Sequence, residues 1–204
     1  MVGTKGMQTR RRIVERAAPV FNRQGYVGAS LRDLVEATGL EKGGIYNHFG
    51  SKEQLALEAY DYSFSQVREG LARSQEGATD AIDRLQRMIG AFAKFARKPA
   101  IAGGCPIMNT AIEADDTHPE LRARARESMT QWHRLVGRIV KDGKAEGTLR
   151  TDIDPYALAS TITGALEGAL MLARLYDDPA HMDRVVDHLL AHVETLRTNS
   201  EEGQ

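Results

Sequence analysis

Residues 30–55 read SLRDLVEATGLEKGGIYNHFGSKEQL, and the fold turns on this stretch. Ser30 opens an amphipathic helix. S-L-R-D is a capping-box pattern with Asp33 where Glu or Gln is usual, and Leu31, Leu34 and Val35 supply an apolar face. Gly39 ends that helix. A short helix is then expected over Lys42–Phe49, terminated by Gly50 in the left-handed conformation. Gly43 and Gly44 stand in its first turn, although glycine costs a helix interior about 1 kcal/mol relative to alanine. S-K-E-Q (51–54) is a full capping box for the next helix, which runs to about Arg73.

Two helices joined by a tight glycine-containing turn make a helix-turn-helix pattern: Leu31–Thr38, Gly39-Leu40-Glu41, Lys42–Phe49. The second helix of that motif lies in the major groove, with its N-terminal residues facing base edges. Ile45 and Phe49 are one turn apart and face the core with Leu40, so Lys42, Gly43, Tyr46 and Asn47 fall on the opposite side. Lacking a Cβ, Gly43 and Gly44 let the backbone approach a duplex closely, and a helix N-terminus attracts phosphate. Charge points the same way. Residues 1–52 hold nine Lys/Arg and four Asp/Glu, a net of +5, and the remainder 18 and 24, a net of −6. This asymmetry suits a polyanion at the basic end, although charge alone leaves a merely solvated basic face open.

Working outward, Ile13, Val14, Ala17, Ala18 and Phe21 form a helical stripe over Thr9–Gln24, stopped by Gly25. Pro19 inside it predicts a kink or a break. Downstream, a polar stretch (74–79) precedes a helix over Asp80–Arg97 with the stripe Leu85, Met88, Ile89, Phe92 and Phe95. Residues 98–104 read as a loop. Pro106 opens a helix to about Ala114, and Pro119 one to about Glu146. Asp154-Pro155 opens a helix to about Tyr176, and Asp178-Pro179 a last one ending near Arg197. The fold class is therefore all-α, with about nine helices and no strands. A three-helix DNA-binding domain over 1–52 is followed by a helical bundle over 53–204, with the helix from 52 to about 73 connecting them. NSEEGQ (199–204) is expected to be a disordered tail.

The composition sets bounds. The length, 204 residues, suits one large domain or two small ones, and 42% hydrophobic residues exclude global disorder. No apolar run is expected to approach the roughly 20 residues that cross a bilayer. MVGTKGMQTRRR leads into an amphipathic stretch, not an apolar signal core. The single cysteine, Cys105, excludes an internal disulfide framework and suits a reducing, cytoplasmic setting.

The segment resembles the TetR/AcrR family of bacterial transcriptional regulators. The resemblance is carried by Arg12-Ile13, Ala17 to Phe21, Gly25-Tyr26, SLRDLVEATGL (30–40), KGGIYNHF (42–49) and SKEQL (51–55). It spans about residues 9–60, and the remainder matches only in its all-helical layout. It implies that Tyr46 and Asn47 contact DNA, that His48 and Lys52 meet its backbone, and that Ser30 and Arg32 do so from the second helix. With Lys42, Gly43 and Gly44 these form the candidate DNA-binding set. Gly44 departs from the family, where Ser or Thr is commoner, and Pro19 is a second departure. One short helix reads few base pairs, each worth about 1–3 kcal/mol of discrimination. The resemblance accordingly implies a homodimer, and twofold symmetry implies a palindromic operator with heads roughly 34 Å apart or a multiple.

In this family the final two helices commonly build the dimer interface. The run ALASTITGALEGALMLA (157–173) is rich in small residues, which let helices approach closely. The candidate interface is Thr161, Ala165, Gly168, Ala169, Leu172, Val186, Leu189, Leu190 and Val193, with core packing the competing use. An effector pocket is also implied, with Met88, Phe92, Phe95, Met108, Met129, Trp132 and Val136 as walls and Asn109, His133, Thr161 and Glu167 as polar anchors. Cys105, flanked by glycines and beside a helix start, would be the receptor if the protein sensed oxidants or electrophiles, as some members do; burial as a small apolar residue is the other reading. His188 and His192 have metal-ligand spacing but no third ligand. Neither cofactor nor metal is expected. The expected function is a cytoplasmic repressor released from its operator by a small-molecule effector. The alternatives are the Cys105 sensor and a helical enzyme or carrier with a vestigial DNA-binding fold.

Overall fold

The structure, a computed structural model, describes residues 4–198. The disorder expected of 199–204 concerns residues outside that range. Among the described residues there are nine α-helices: α1 (Thr4–Gly28), α2 (Leu31–Thr38), α3 (Lys42–Tyr46), α4 (Lys52–Ser74), α5 (Ala81–Arg97), α6 (Pro106–Glu113), α7 (Pro119–Ala145), α8 (Pro155–Leu175) and α9 (Ala180–Glu194). The β-pairing found among them is a single isolated bridge between Leu149 and Arg197.

Two compact units result. One is the chain up to Val67 together with Pro99–Ser128; the other is Arg68–Lys98 together with the chain from Met129 onward. Each draws on separate stretches because α6 packs on α1, while α5 packs on α8 and α9. In the first unit Ile13, Val14, Ala17, Leu34, Ile45, Phe49 and Leu55 form one buried cluster, joined by partly buried Phe21, Val35 and Leu40. The apolar periodicities of α1, α2 and α3 thus converge, each large side chain contributing about 1.5–3 kcal/mol on burial.

Three local expectations are corrected. First, α1 begins at Thr4 and runs across Pro19; its non-helical residue is Gly25, at φ 76° and ψ 174°. Proline removes one helical hydrogen bond, which a long packed helix tolerates, whereas glycine reaches this conformation without a Cβ penalty. Second, α3 stops at Tyr46, short of Phe49. The His48 N–H donates to the Ile45 carbonyl at 3.0 Å, tightening the last turn. Third, Gly50 is not left-handed. Its N–H donates to Gln54 Oε1 at 2.8 Å, while the Gln54 N–H donates to Ser51 Oγ at 3.1 Å, so the capping box carries the turn instead. Gly39 does end α2 in the left-handed region, at φ 68°.

In the second unit, Ile82, Leu85, Met88 and Ile89 of α5 are buried together with Leu158, Ile162, Leu166 and Leu170 of α8 and Met182, Leu189 and Val193 of α9. Asp80 caps α5, accepting from the Asp83 N–H at 2.8 Å, and its other oxygen pairs with Arg197 Nη1 at 3.0 Å. A Cβ on Gly143 of α7 would lie 2.4 Å from the Ala81 Cβ, so only glycine fits where α7 crosses the start of α5. The expectation that no segment matches a membrane span is also corrected: α8 is long and apolar enough by length and composition. Six of its residues, Leu158 to Leu170, are buried in this unit, as in the core helix of a helical domain.

Candidate nucleic-acid interface

The candidate reading head is built by capping and by two buried anchors. The Ser30 Oγ accepts from the Asp33 N–H at 3.2 Å, and the Asp33 carboxylate accepts from the Ser30 N–H at 2.9 Å and from its hydroxyl at 2.6 Å. These hydrogen bonds from the Ser30 side chain and backbone hold the Asp33 carboxyl below its ordinary value. The capping box is complete, so the Ser30 hydroxyl is already engaged in the fold, though Ser30 and Arg32 both stay exposed.

Ile45 and Phe49, each 1% exposed, pin α3 to the core. Lys42, Gly43, Tyr46 and Asn47 are exposed together on the outward side, and Gly44 is partly covered. A Cβ added at Gly43 would meet nothing within 4 Å; at Gly44 it would meet the Leu40 Cβ at 3.5 Å, an ordinary contact. Neither glycine has a positive φ. The chain's own packing therefore requires a glycine at neither position.

His48 is half-buried, and its carbonyl accepts from Arg10 Nη1. Arg10 also pairs with Glu58 of α4 through both ends of its guanidinium, which lies 4.1 Å from the Phe49 ring centroid. Arg10 thus helps fasten the end of α3, a role hidden in the sequence because Arg10 is one cation in a basic run. The Lys52 Nζ sits 4.7 Å from the centroid of the Tyr26 ring. Beside it, His118 Nε2 is 3.2 Å from Glu53 Oε1, and its Nδ1 accepts from the Leu121 N–H at 3.2 Å, capping α7. These partners place the imidazole hydrogen on Nε2. Burial, then Glu53 and Tyr46, raise the pKa of Tyr26.

The effector candidates do not form one group. In the second unit, Met88 and Val136 are fully buried, and Phe92 stands 6.1 Å from Phe95 and 6.4 Å from Trp132. The Trp132 Nε1 is buried without an acceptor among the described residues. Met129, His133 and Glu167 are half-buried here, and Thr161 is exposed. Cys105, Met108 and Asn109 belong to the first unit. The Asn109 side chain is spent on structure, donating to the Asn22 carbonyl at 3.0 Å and to the Gly103 carbonyl at 2.9 Å. Cys105 is 2% exposed, so the flanking glycines do not make it accessible; Gly103 and Gly104 instead serve the turn with φ of 121° and 95°.

The dimer candidates are likewise sorted. Thr161 is exposed, and Ala165, Gly168, Leu172, Val186 and Leu190 are partly so. Ala169, Leu189 and Val193 lie in the chain's own core, at 1%, 2% and 0% exposure, and cannot present a side chain to a second copy. Tyr156, Met171, Leu175 and Tyr176 are exposed large apolar residues of α8 and its end, and are not among those candidates. Among the described residues no three His, Cys, Asp or Glu side chains come together as a metal site.

Comparison with known proteins agrees with this geometry. Residues 13–59 match the family described as bacterial regulatory proteins, tetR family, and residues 81–189 match the tetracyclin repressor-like C-terminal domain. The HTH-type transcriptional repressor DhaR of Mycobacterium sp. strain GP1 is 26% identical, the alignment covering 94% of this chain and 97% of that protein. A crystal structure of a TetR transcriptional regulator from Chloroflexus aurantiacus is 42% identical at a TM-score of 0.93, covering 96% of this chain and 99% of that one. One from Cytophaga hutchinsonii is 33% identical at a TM-score of 0.88, covering 97% and 98%. These matches set aside the enzyme-or-carrier alternative, and the chain belongs to the tetR family of bacterial regulatory proteins, as a helix-turn-helix, DNA-binding regulator of transcription.

Proposed function

We propose that the protein is a cytoplasmic, homodimeric repressor that holds a palindromic operator and is released from it by a small-molecule effector. The observation that carries the DNA part is the outward face of α3. Lys42, Gly43, Tyr46 and Asn47 are exposed over a core fixed by Ile45 and Phe49, and the fold itself has no use for the glycines. Close backbone approach to DNA gives them one. Tyr46 and Asn47 read the groove; Lys42, Lys52, Arg32, Ser30 and His48 position the backbone, with Gly44 beside them. A DNA-binding domain ending near residue 52 and an effector-binding and dimerisation domain beyond it remain the working division, supported by the two family matches at 13–59 and 81–189.

Dimerisation uses the exposed side of α8, where Thr161, Gly164, Gly168 and Met171 follow one another at helical spacing, with Leu175 and Tyr176 beyond. Val186 and Leu190 of α9 extend it. The effector occupies the aromatic region of the second unit around Phe92, Phe95 and Trp132. Effector binding favours a conformation in which the heads no longer match the operator, so affinity for DNA falls by linkage. Resemblance to a named repressor supports the sign of regulation. The test is selection of genomic fragments by the purified protein at near-physiological salt. A sharp palindrome is expected; diffuse binding lost at modest salt would reduce the head to a generic polyanion surface.

A further inference from the structure

In the first unit, α6 is hydrogen-bonded to the end of α1, just ahead of the reading head. α6 presents Glu113, whose two carboxylate oxygens accept from consecutive backbone amides at the break in α1: Oε2 from the Tyr26 N–H and Oε1 from the Val27 N–H, both at 2.9 Å. The break is shaped to receive this carboxylate. Gly25 has φ 76°, and a Cβ there would lie 2.4–2.6 Å from the carboxylate atoms, so both its conformation and its missing side chain are required. One helical turn earlier on α6, Asn109 donates to the Asn22 carbonyl and to that of Gly103. Asn22 in return donates from Nδ2 to the carbonyls of Ala102 and Gly104, at 3.1 and 3.0 Å. Gly103 allows the approach, since a Cβ would fall 2.6 Å from the Asn22 carbonyl oxygen.

α6 therefore grips α1 by hydrogen bonds at two levels. A small cavity bordered by Phe21, Asn22, Tyr26, Thr110, Glu113 and Leu121 lies along the grip. The gripped amides are close to the reading head. Ala29 is buried and donates to the Gly25 carbonyl at 3.1 Å, and Ser30 is the cap of α2. Only Gly28 and buried Ala29 separate Val27, held by the Glu113 carboxylate, from Ser30, the cap of α2.

We propose that Glu113 is a positioning residue for DNA reading: by fixing Tyr26 and Val27 it sets where α2, and with it α3, stand. The inference rests on the DNA-reading role proposed above and adds a residue outside the reading head on which that role depends. Glu113→Ala removes both acceptors. Glu113→Gln keeps one and turns an amide donor toward the other N–H.

The test has two readouts on the full chain. Amide hydrogen exchange of the free protein is expected to quicken about tenfold over residues 26–35 in Glu113→Ala, with the helices of the second unit unchanged. Affinity for the DNA fragment selected by the wild-type protein is expected to fall about tenfold in Glu113→Ala and severalfold in Glu113→Gln, at a temperature where circular dichroism shows all forms folded. Gly25→Ala, which displaces the carboxylate from the other side, should weaken binding as much, and the double variant no more than the worse single one. Unchanged protection over 26–35, or an affinity within twofold of wild type, overturns the proposal. If the wild type selects no sequence at all, the DNA-reading proposal falls, and hydrogen exchange alone decides whether Glu113 fixes the head.

Discussion

At the scale of single residues, the structure separates what a side chain does for the fold from what it offers outward. Gly43 is the clearest case. Its Cβ would meet open space and its φ is ordinary, so Gly43→Ala is expected to fold and to be more stable by up to about 1 kcal/mol. Its affinity for the selected operator is expected to fall, because the added methyl stands where the duplex backbone would come. Thermal melting and a binding isotherm on the same preparation check both signs, and a variant that gained stability while binding normally would remove the explanation given for the glycine. Asn47→Ala is expected to cost about 1–3 kcal/mol against the preferred site and to relax selectivity there. Lys52→Ala should weaken all sequences alike and lower the salt dependence by about one counterion. Because its ammonium rests over Tyr26 in the free protein, a smaller slope change would show that it stays there on DNA.

At the scale of elements, helix ends carry the pH dependence. Asp33 caps α2, and Asp80 and Asp83 cap α5; all three carboxyls lie below their ordinary value of 3.8. The Asp33 cause is its hydrogen bonds from Ser30. Asp80 is lowered first by the Asp83 N–H, and Asp83 first by the hydrogen bond from Arg87. Since the folded-state values are the depressed ones, these groups stabilise the native state fully above about pH 4. That contribution is lost as pH falls through the lower folded values. Acid unfolding followed by circular dichroism should therefore shift to higher pH in Asp33→Asn and in Asp80→Asn, with neutral-pH structure retained. α7 offers a packing test. Gly143→Ala forces a methyl into the Ala81 and Leu149 side chains, and overpacking of this kind costs about 1–3 kcal/mol. The melting temperature is expected to drop with no change in DNA sequence preference.

At the scale of the whole molecule, the exposed side of α8 is the feature a single chain leaves unexplained. Met171 and Leu175 are 51% and 69% exposed on a helix whose other side is core. Met171→Glu with Leu175→Glu is expected to shift sedimentation from dimer to monomer. Operator affinity should then fall steeply, because one head reads too few base pairs alone. Persistence of the dimer in this variant would place the interface elsewhere.

The sequence by itself determined the all-helical class, the order of the helices and the composition of α2 and α3. Those features depend on local chemistry: apolar residues at helical spacing, capping side chains within three residues of the backbone they serve, and proline and glycine at helix ends. It also marked Ile45 and Phe49 as core, because a one-turn spacing is legible without knowing what lies opposite. Tertiary structure alone decided which glycines serve the fold. Gly25, Gly103 and Gly143 are required by Glu113, Asn22 and Ala81, partners 62 or more positions away in the chain, while Gly43 touches nothing. It decided that Asn109 is a bracket, that Cys105 is buried, and that Ala169, Leu189 and Val193 belong to the core. It brought Arg10 to His48 and Glu58, and Glu113 to the break in α1. Such pairings cross long stretches of chain, and no periodicity or local spacing encodes which distant backbone amide a carboxylate will meet.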